Sequence, residues 1–162
     1  MNKEGHILNA ALLGIGLGFV LDPSGTVGTL RTVVAVTIPV MLGALFPDVD
    51  TAFGKHRKTL HNLPVLGLFV AFPFFFANLA YVWIGVFTHY VLDYLGSRRG
   101  IALFYPLSSQ EYGFPSGVTT SSRFANVVTI VVTAVELAAA VAIVHVLPQY
   151  VDLGAVSAML PL

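Results

Sequence analysis

The sequence predicts an all-α, polytopic transmembrane helical bundle of about five spans. Of its 162 residues, 56% are apolar, and the mean hydropathy is +0.84. Only 10% are charged, whereas a soluble domain carries about a quarter. The apolar residues form five long runs, which are 7–21, 32–46, 63–77, 79–95 and 124–147. We therefore expect residues 1–162 to form a single integral membrane domain.

The first two runs, 7–21 and 32–46, are short for membrane spans. Each holds 15 residues, and a helix needs about 20 to cross the hydrocarbon core. We therefore expect both helices to extend into flanking polar residues. The first run follows a charged N-terminus as in a signal peptide, but no small-residue cleavage pattern follows Leu21. It is interpreted as the first span.

The third and fourth runs, 63–77 and 79–95, are separated only by Asn78. A single helix over both would be about 50 Å long, so we predict a tight hairpin at Asn78. The alternative is one very long tilted span, which would reverse the orientation of everything that follows. Pro73 and Pro39 are expected to kink their helices.

The fifth run, 124–147, carries Glu136 at its centre. A carboxylate at this depth is costly and is a candidate for function, for example in an ion pathway. It is equally consistent with a neutral group that is hydrogen-bonded within the bundle. His145 lies nine residues further on, about 180° round the helix from Glu136.

The basic residues predict the orientation of the bundle. Five spans place the N-terminus and the loops 47–62 and 96–123 on one side, and that side holds seven of the eight cations, with Arg31 alone opposite. The positive-inside rule makes this side cytoplasmic, so we expect a multi-pass inner-membrane protein with a cytoplasmic N-terminus. The seven are Lys3, Lys55, Arg57, Lys58, Arg98, Arg99 and Arg123.

Composition also excludes several classes of function. The net charge is zero, so the chain lacks the basic surface that binds nucleic acid. It contains no cysteine, which excludes disulfides and thiolate metal sites. The expected partner is the lipid bilayer, and the sequence specifies no oligomeric state.

Seven histidines and aspartates fall on the predicted cytoplasmic side and form the candidate metal ligands. His89 and Asp93 are four residues apart, which puts them about 40° apart on one helical face. An ionisable pair inside an apolar segment is a functional candidate by default. The seven are His6, Asp48, Asp50, His56, His61, His89 and Asp93.

Asp48 and Asp50 follow Pro47, and their geometry depends on the backbone there. Extended backbone would point both carboxylates at one place, whereas a helix would separate them by about 200°. Because the residue before a proline leaves the helical region, we predict an extended segment. Taken alone, either aspartate is also typical of a turn or a helix cap.

Three carboxylates and four imidazoles fit Zn²⁺, and also Mn²⁺ or Fe²⁺. We expect Zn²⁺. Seven ligands are too many for one tetrahedral ion, so one or two ions are expected, and a two-metal site with a bridging water is the natural use of the set. A simpler interpretation of His56 and His61 is a basic juxtamembrane patch that meets anionic headgroups.

The order of these motifs resembles the YdjM-like membrane-bound metal-dependent hydrolases over about residues 5–115. The matching strings are His6, Pro47-Asp48-x-Asp50, His56-Arg57-x-x-x-His61, His89-x-x-x-Asp93 and Leu103-Phe104-Tyr105-Pro106-Leu107-Ser108. The resemblance implies a helical membrane domain, a hydrolase-like core, related distantly to zinc-dependent phospholipase C and P1 nuclease, and the seven residues above as ligands. This chain departs from the family at Leu60 and Gly96, where threonine is common.

The function expected from the set is hydrolysis of a phosphoester, with a lipid-linked ester as a candidate, by a metal-activated water. Asp48, Asp50 and Asp93 are candidate proton acceptors. Arg57 is a candidate for binding phosphate, as are Arg98 and Arg99. The alternative is a non-enzymatic metal-binding membrane protein, which would be a transporter, a sensor or a scaffold.

Overall fold

The computed structural model is all-helical and describes residues 3–76, 79–115, 117–119 and 122–151. All five apolar runs form α-helices, and no strand is present in these ranges, so the predicted fold class is confirmed. The helices are α1 (Lys3–Leu21), α2 (Val27–Leu45), α3 (Leu63–Ala71), α4 (Val82–Gly96) and α5 (Ala125–Val141). Shorter 3₁₀ segments are Pro47–Ala52, Phe72–Phe74 and Leu147–Gln149, and a π-helical turn spans Ala142–Val146.

Within the part of the chain that the structure describes, three helical segments are long and apolar enough to cross a membrane: Lys3–Leu21, Val27–Ala52 and Ala125–Gln149. As expected, α1 and α2 extend beyond their apolar runs to 19 residues each. A capping box at Thr26 begins α2. The remaining two helices are shorter, with 9 residues in α3 and 15 in α4.

Helices α3 and α4 are separate elements, so the alternative of one long helix over both runs is wrong. α3 ends at Ala71, and the 3₁₀ segment around Pro73 follows it. Phe69 of α3 packs on Val82 and Val86 of α4, as a hairpin requires. The predicted turn residue itself, Asn78, lies outside the described residues.

The segment after Pro47 corrects one prediction. It is a 3₁₀ helix over Pro47–Ala52, not extended backbone. Phe46 keeps helical angles of φ −62° and ψ −45°, so it does not leave the helical region. Proline at the first position of a helical turn costs little, because its fixed φ suits the turn and its missing N–H is not needed there.

Glycines allow the helices to approach closely. A Cβ on Gly43 of α2 would lie 2.0 Å from the Val82 carbonyl oxygen, and one on Gly85 of α4 would lie 2.0 Å from that of Val40. Lipid tails are as apolar as the helices, so the hydrophobic effect does not drive membrane helices together. They associate instead by close packing at such small residues. Helix α1 packs against α2 and α5, and α2 packs against α4. The site-bearing ends of α1, α2 and α4 are therefore held together.

Candidate metal centre

The structure brings all seven predicted ligands into one region. His6 lies in the first turns of α1, the two aspartates in the 3₁₀ helix, two histidines in the following loop, and His89 and Asp93 on α4. Two groups of three could each hold a metal ion: His6 with His89 and Asp93, and Asp48 with His56 and His61.

The two α4 residues face inward, as their spacing predicts. His89 is fully buried and Asp93 nearly so, and the His89 Nε2 and Asp93 Oδ2 atoms are 3.7 Å apart. The His89 Nδ1 atom lies 2.7 Å from the Ala44 carbonyl oxygen of α2. A carbonyl can only accept, so Nδ1 carries the proton and Nε2 presents a lone pair.

His61 presents its ring in the same way. Its Nδ1 atom donates to Asp50 Oδ2 at 3.0 Å, which leaves the Nε2 lone pair facing that of His89 at 3.1 Å. Two neutral nitrogens cannot form a hydrogen bond when neither carries a hydrogen. A cation between them resolves the contact, and ligands about 2.0–2.1 Å from Zn²⁺ are spaced about 3.3 Å apart in a tetrahedral shell.

Asp48 and Asp93 add carboxylate oxygens to this nitrogen pair. Asp48 Oδ1 lies 3.7 Å from His89 Nε2 and 3.9 Å from His61 Nε2. Asp93 Oδ2 lies 3.8 Å from His61 Nε2. These separations exceed those of a closed coordination shell by only a few tenths of an ångström. Two imidazoles and two carboxylates therefore suit one divalent cation.

His6 faces the other oxygen of Asp93. Its ring stacks on that of His89, with centroids 3.7 Å apart and planes 8° from parallel, and its Nε2 atom is 3.4 Å from Asp93 Oδ1. The Nε2 atoms of the two stacked rings lie side by side, and each faces a different oxygen of Asp93. Since the two oxygens of Asp93 face different histidines, the arrangement fits a second cation position next to the first.

Asp50 lies behind the histidines. Its side chain is fully buried, and its two oxygens accept from His56 Nδ1 and His61 Nδ1, each at 3.0 Å. The Leu60 backbone N–H also approaches Asp50 Oδ2, at 3.3 Å. Carboxylates in this position orient a ligating imidazole and raise its basicity. The Leu60 side chain departs from the threonine that is common in the family, but the Leu60 backbone N–H still contacts Asp50.

Arg57 is directed at Asp93. It has a φ of 67°, which is uncommon for a residue with a side chain. Its buried guanidinium donates to Asp93 Oδ1 at 3.4 Å, to Ser97 Oγ at 3.0 Å and to the Arg99 carbonyl oxygen. Backbone strain of this kind is found at functional sites, where the surrounding structure must maintain it.

The other two arginines proposed for phosphate binding, Arg98 and Arg99, have different settings. Arg99 forms a two-pronged ion pair with Glu111, with separations of 2.9 and 2.8 Å. Arg98 is exposed. Lys58 joins the same cluster through Glu111 at 3.5 Å. The ion pairs thus fasten the segment after α4 to the loop before α3.

Access to the site is through Asp48 and His56. The His56 side chain is 37% exposed and that of Asp48 13%. His61 is fully buried, and burial lowers its pKa because the imidazolium form loses its hydration. His61 is therefore neutral at pH 7, which is the protonation state that binds a metal.

Tyr90 and Ser97 support the site and were not identified from the sequence. Tyr90 donates to the Leu60 carbonyl at 2.5 Å and accepts from the Asn62 N–H at 3.2 Å, which fixes the loop carrying His61. Asn62 itself caps α3. Ser97 holds Arg57. Nothing in the local sequence distinguishes Tyr90 from the other aromatic residues of α4, whereas a cap before Pro64 is a recognisable signal.

The two ionisable residues of the fifth span, Glu136 and His145, are not among the candidate metal ligands. Glu136 is hydrogen-bonded within the bundle, to Asn9 and Thr88. His145 Nε2 donates to the Val20 carbonyl at the end of α1, at 2.8 Å. The hydrogen bonds of Glu136 and of His145 therefore go to separate groups.

Comparison with known proteins gives a family assignment. No curated protein and no solved structure matches the chain. The family model described as "YdjM inner membrane protein" matches residues 1–157. This agrees with the apolar helices and with the order of His and Asp motifs along the chain. The chain belongs to the YdjM inner membrane protein family.

Proposed function

We propose that this protein is a membrane-bound, metal-dependent hydrolase that cleaves a phosphoester. The observation that carries the proposal is the 3.1 Å approach of the His61 and His89 Nε2 atoms. Each Nδ1 is committed to an acceptor, so both lone pairs are available to a cation. Two flanking carboxylates supply the negative charge that a divalent cation needs.

His61, His89, Asp48 and Asp93 would hold the first ion. His6, with the other oxygen of Asp93, would hold the second, and His56 lies with Asp48 and His61 at the exposed edge. The nitrogen and oxygen ligands favour Zn²⁺, and they also suit Mn²⁺ or Fe²⁺. When bound, a divalent cation supplies Lewis acidity that lowers the pKa of water to about 7 and so provides hydroxide at neutral pH.

The protein residues have distinct tasks in this proposal. Asp48 Oδ1 faces the nitrogens of His61 and His89, and Asp48 is the carboxylate that solvent reaches, so its other oxygen would take the proton of the attacking water and return it to the leaving group. Asp50 fixes His56 and His61, and Arg57 fixes Asp93. Arg57 is then a positioning residue, unless binding of substrate releases its guanidinium to a phosphate oxygen.

The proposed substrate class follows from where the candidate ligands lie in the chain. The ligands lie with six cations in or beside the loops 47–62 and 96–123, which supports a site at the cytoplasmic membrane face. Val49, next to Asp48 in the 3₁₀ helix, and Phe53, directly after that helix, have exposed apolar side chains. An apolar rim beside a phosphoester site favours a lipid-linked substrate, which approaches from the bilayer.

A second candidate function is a non-enzymatic metal-binding protein. The observation that favours it is burial, because His6, His61, His89 and Asp93 are all at most 1% exposed. An ion enclosed in this way can join the ends of α1 and α4 to the intervening loop as a structural tie.

One experiment separates these functions. The purified protein, in detergent, is analysed for bound metal and then assayed for hydrolysis of an aryl phosphate and an aryl phosphodiester, before and after chelation. The expected result is bound metal with turnover that chelation abolishes and Zn²⁺ restores. The variant Asp48→Ala should lose turnover, and Asp22→Asn, at the opposite end of α1, should retain it. Metal without turnover supports the structural function, and absence of metal refutes both.

A further inference from the structure

A second buried polar cluster lies within the bundle and contains none of the candidate metal ligands. It joins three helices, through Asn9 of α1, Thr88 of α4 and Glu136 of α5. Asn9 and Thr88 are fully buried. Thr88 Oγ1 lies 2.6 Å from both Asn9 Oδ1 and Glu136 Oε1, and Asn9 Nδ2 lies 2.8 Å from Glu136 Oε2. The three side chains therefore close a ring.

Thr133 fixes the orientation of the Asn9 amide. The Thr133 hydroxyl donates to the Thr129 carbonyl at 2.8 Å, so it can only accept from Asn9 Nδ2, which lies 2.9 Å away. The amide nitrogen of Asn9 must then face Thr133 and Glu136, and its oxygen must face Thr88.

The hydrogens in the ring can now be counted. Thr88 has one hydroxyl hydrogen and two oxygen neighbours at 2.6 Å. Asn9 Oδ1 has no hydrogen to give, so Thr88 donates to it. The contact with Glu136 Oε1 then needs a hydrogen from the carboxyl group. An ionised Glu136 would leave two acceptors opposed at this distance.

The surroundings of Glu136 also favour a neutral acid. It borders two cavities, one of about 360 Å³ lined mainly by α4 and α5 and one of about 320 Å³ among α1, α4 and α5, whose other lining side chains are apolar or aromatic. An unpaired carboxylate against hydrocarbon costs far more than a carboxylic acid that satisfies its hydrogen bonds.

We propose that Glu136 is a neutral carboxylic acid and a positioning residue: through Thr88 and Asn9 it aligns His89 with His6 for metal binding. Thr88 precedes His89, and Asn9 lies one turn from His6 on the same face of α1. The ring thus fixes α1 against α4 next to the stacked pair of imidazoles. The positioning role rests on the proposed function, since it requires that the site binds a metal.

The charge state is tested by infrared spectroscopy of the full-length protein at pH 7. The wild type minus Glu136→Gln difference spectrum should contain the C=O stretch of one protonated carboxylic acid. If the spectrum instead contains only carboxylate bands, Glu136 is ionised and the proposal is overturned. This measurement needs no metal.

The positioning role is tested by Zn²⁺ titration calorimetry and by the absorption spectrum of bound Co²⁺. Glu136→Gln should bind Zn²⁺ within about threefold of wild type, because its amide donates to Thr88 and accepts from Asn9 as the acid does. Glu136→Leu and Thr88→Val should weaken binding at least about tenfold, the usual loss when a group that orients ligands is removed. Both should also alter the Co²⁺ spectrum.

Thr37→Val is the matched control for Thr88→Val. The Thr37 hydroxyl is also buried but has no hydrogen-bond partner among the described residues, so its removal should leave Zn²⁺ affinity and the Co²⁺ spectrum unchanged. Wild-type affinity in both Thr88→Val and Glu136→Leu overturns the positioning role. Circular dichroism identifies a variant that does not fold. If one of the two variants does not fold, the other provides the test of the positioning role. If wild type binds no metal, the proposed function fails together with the positioning role, while the infrared band still decides the charge of Glu136.

Discussion

Replacing Asp50 with asparagine tests whether this residue orients the metal ligands. The Asp50 carboxylate accepts two hydrogen bonds of 3.0 Å, from His56 Nδ1 and His61 Nδ1. An asparagine has one acceptor oxygen, so it can satisfy only one imidazole in its present tautomer and must turn an N–H towards the other. The substitution therefore removes about one charge-assisted hydrogen bond from a fully buried position.

The expected loss follows from that count. A hydrogen bond to a charged group contributes about 1.5–3 kcal/mol, and about 1.4 kcal/mol corresponds to tenfold in affinity. Asp50→Asn should thus weaken Zn²⁺ binding about 10- to 100-fold, the range typical of groups that orient ligands. Titration calorimetry on the detergent-solubilised protein measures this loss, and circular dichroism verifies that the helices remain.

Asp22→Asn is the matched control for this substitution. Asp22 accepts from the Ser24 N–H in the exposed turn after α1, away from the site, so the same chemical change there should leave Zn²⁺ affinity unaltered. Wild-type affinity in Asp50→Asn would refute the orienting role. Complete loss of binding would instead mean that Asp50 ligates the metal directly, as the sequence analysis expected.

Three further predictions concern stability. Gly85→Ala should lower the free energy of unfolding by about 1–3 kcal/mol, because its Cβ would meet the Val40 carbonyl at 2.0 Å; Gly67→Ala, in open space, should not. Arg99 lowers the pKa of Glu111, so this exposed pair contributes at most about 1 kcal/mol. That contribution should be present above pH ~4.3 and lost below it, and Glu111→Gln should abolish this step in pH-dependent hydrogen exchange. Chelation should lower the melting temperature, since a bound ion stabilises only the folded state.

The metal ligands on α4 could be recognised from sequence because their relation is local. A spacing of four places His89 and Asp93 on one helical face whatever the rest of the fold does. The relation between Asp48 and Asp50 depends on the backbone at Pro47. Proline disfavours helical angles in the residue before it, but it suits the first position of a helical turn. The second tendency prevailed, so the predicted extended segment was wrong. The contacts of Asp50 with His56 and His61 depend on the path of the loop between them. Sequence periodicity does not predict that path.

Glu136 illustrates a relation that sequence cannot provide. Its partners Asn9 and Thr88 are 127 and 48 residues away, and each is an ordinary polar residue within an apolar run. A neutral, hydrogen-bonded carboxyl and an ion pathway were equally consistent with its position in the chain. The contacts among α1, α4 and α5 favour the first, because they supply a partner for both carboxyl oxygens.

The sequence by itself determined the helical membrane class, the helices and the types of residue available to bind a metal. These properties follow from composition and from spacing within single segments. The tertiary structure decided which atoms meet: the nitrogens of His61 and His89, the placement of Arg57 on Asp93 and the ring around Glu136. Such contacts depend on how closely glycines such as Gly43 and Gly85 let the helices approach, and on the backbone of an irregular loop. Both are properties of packing between segments remote in the chain.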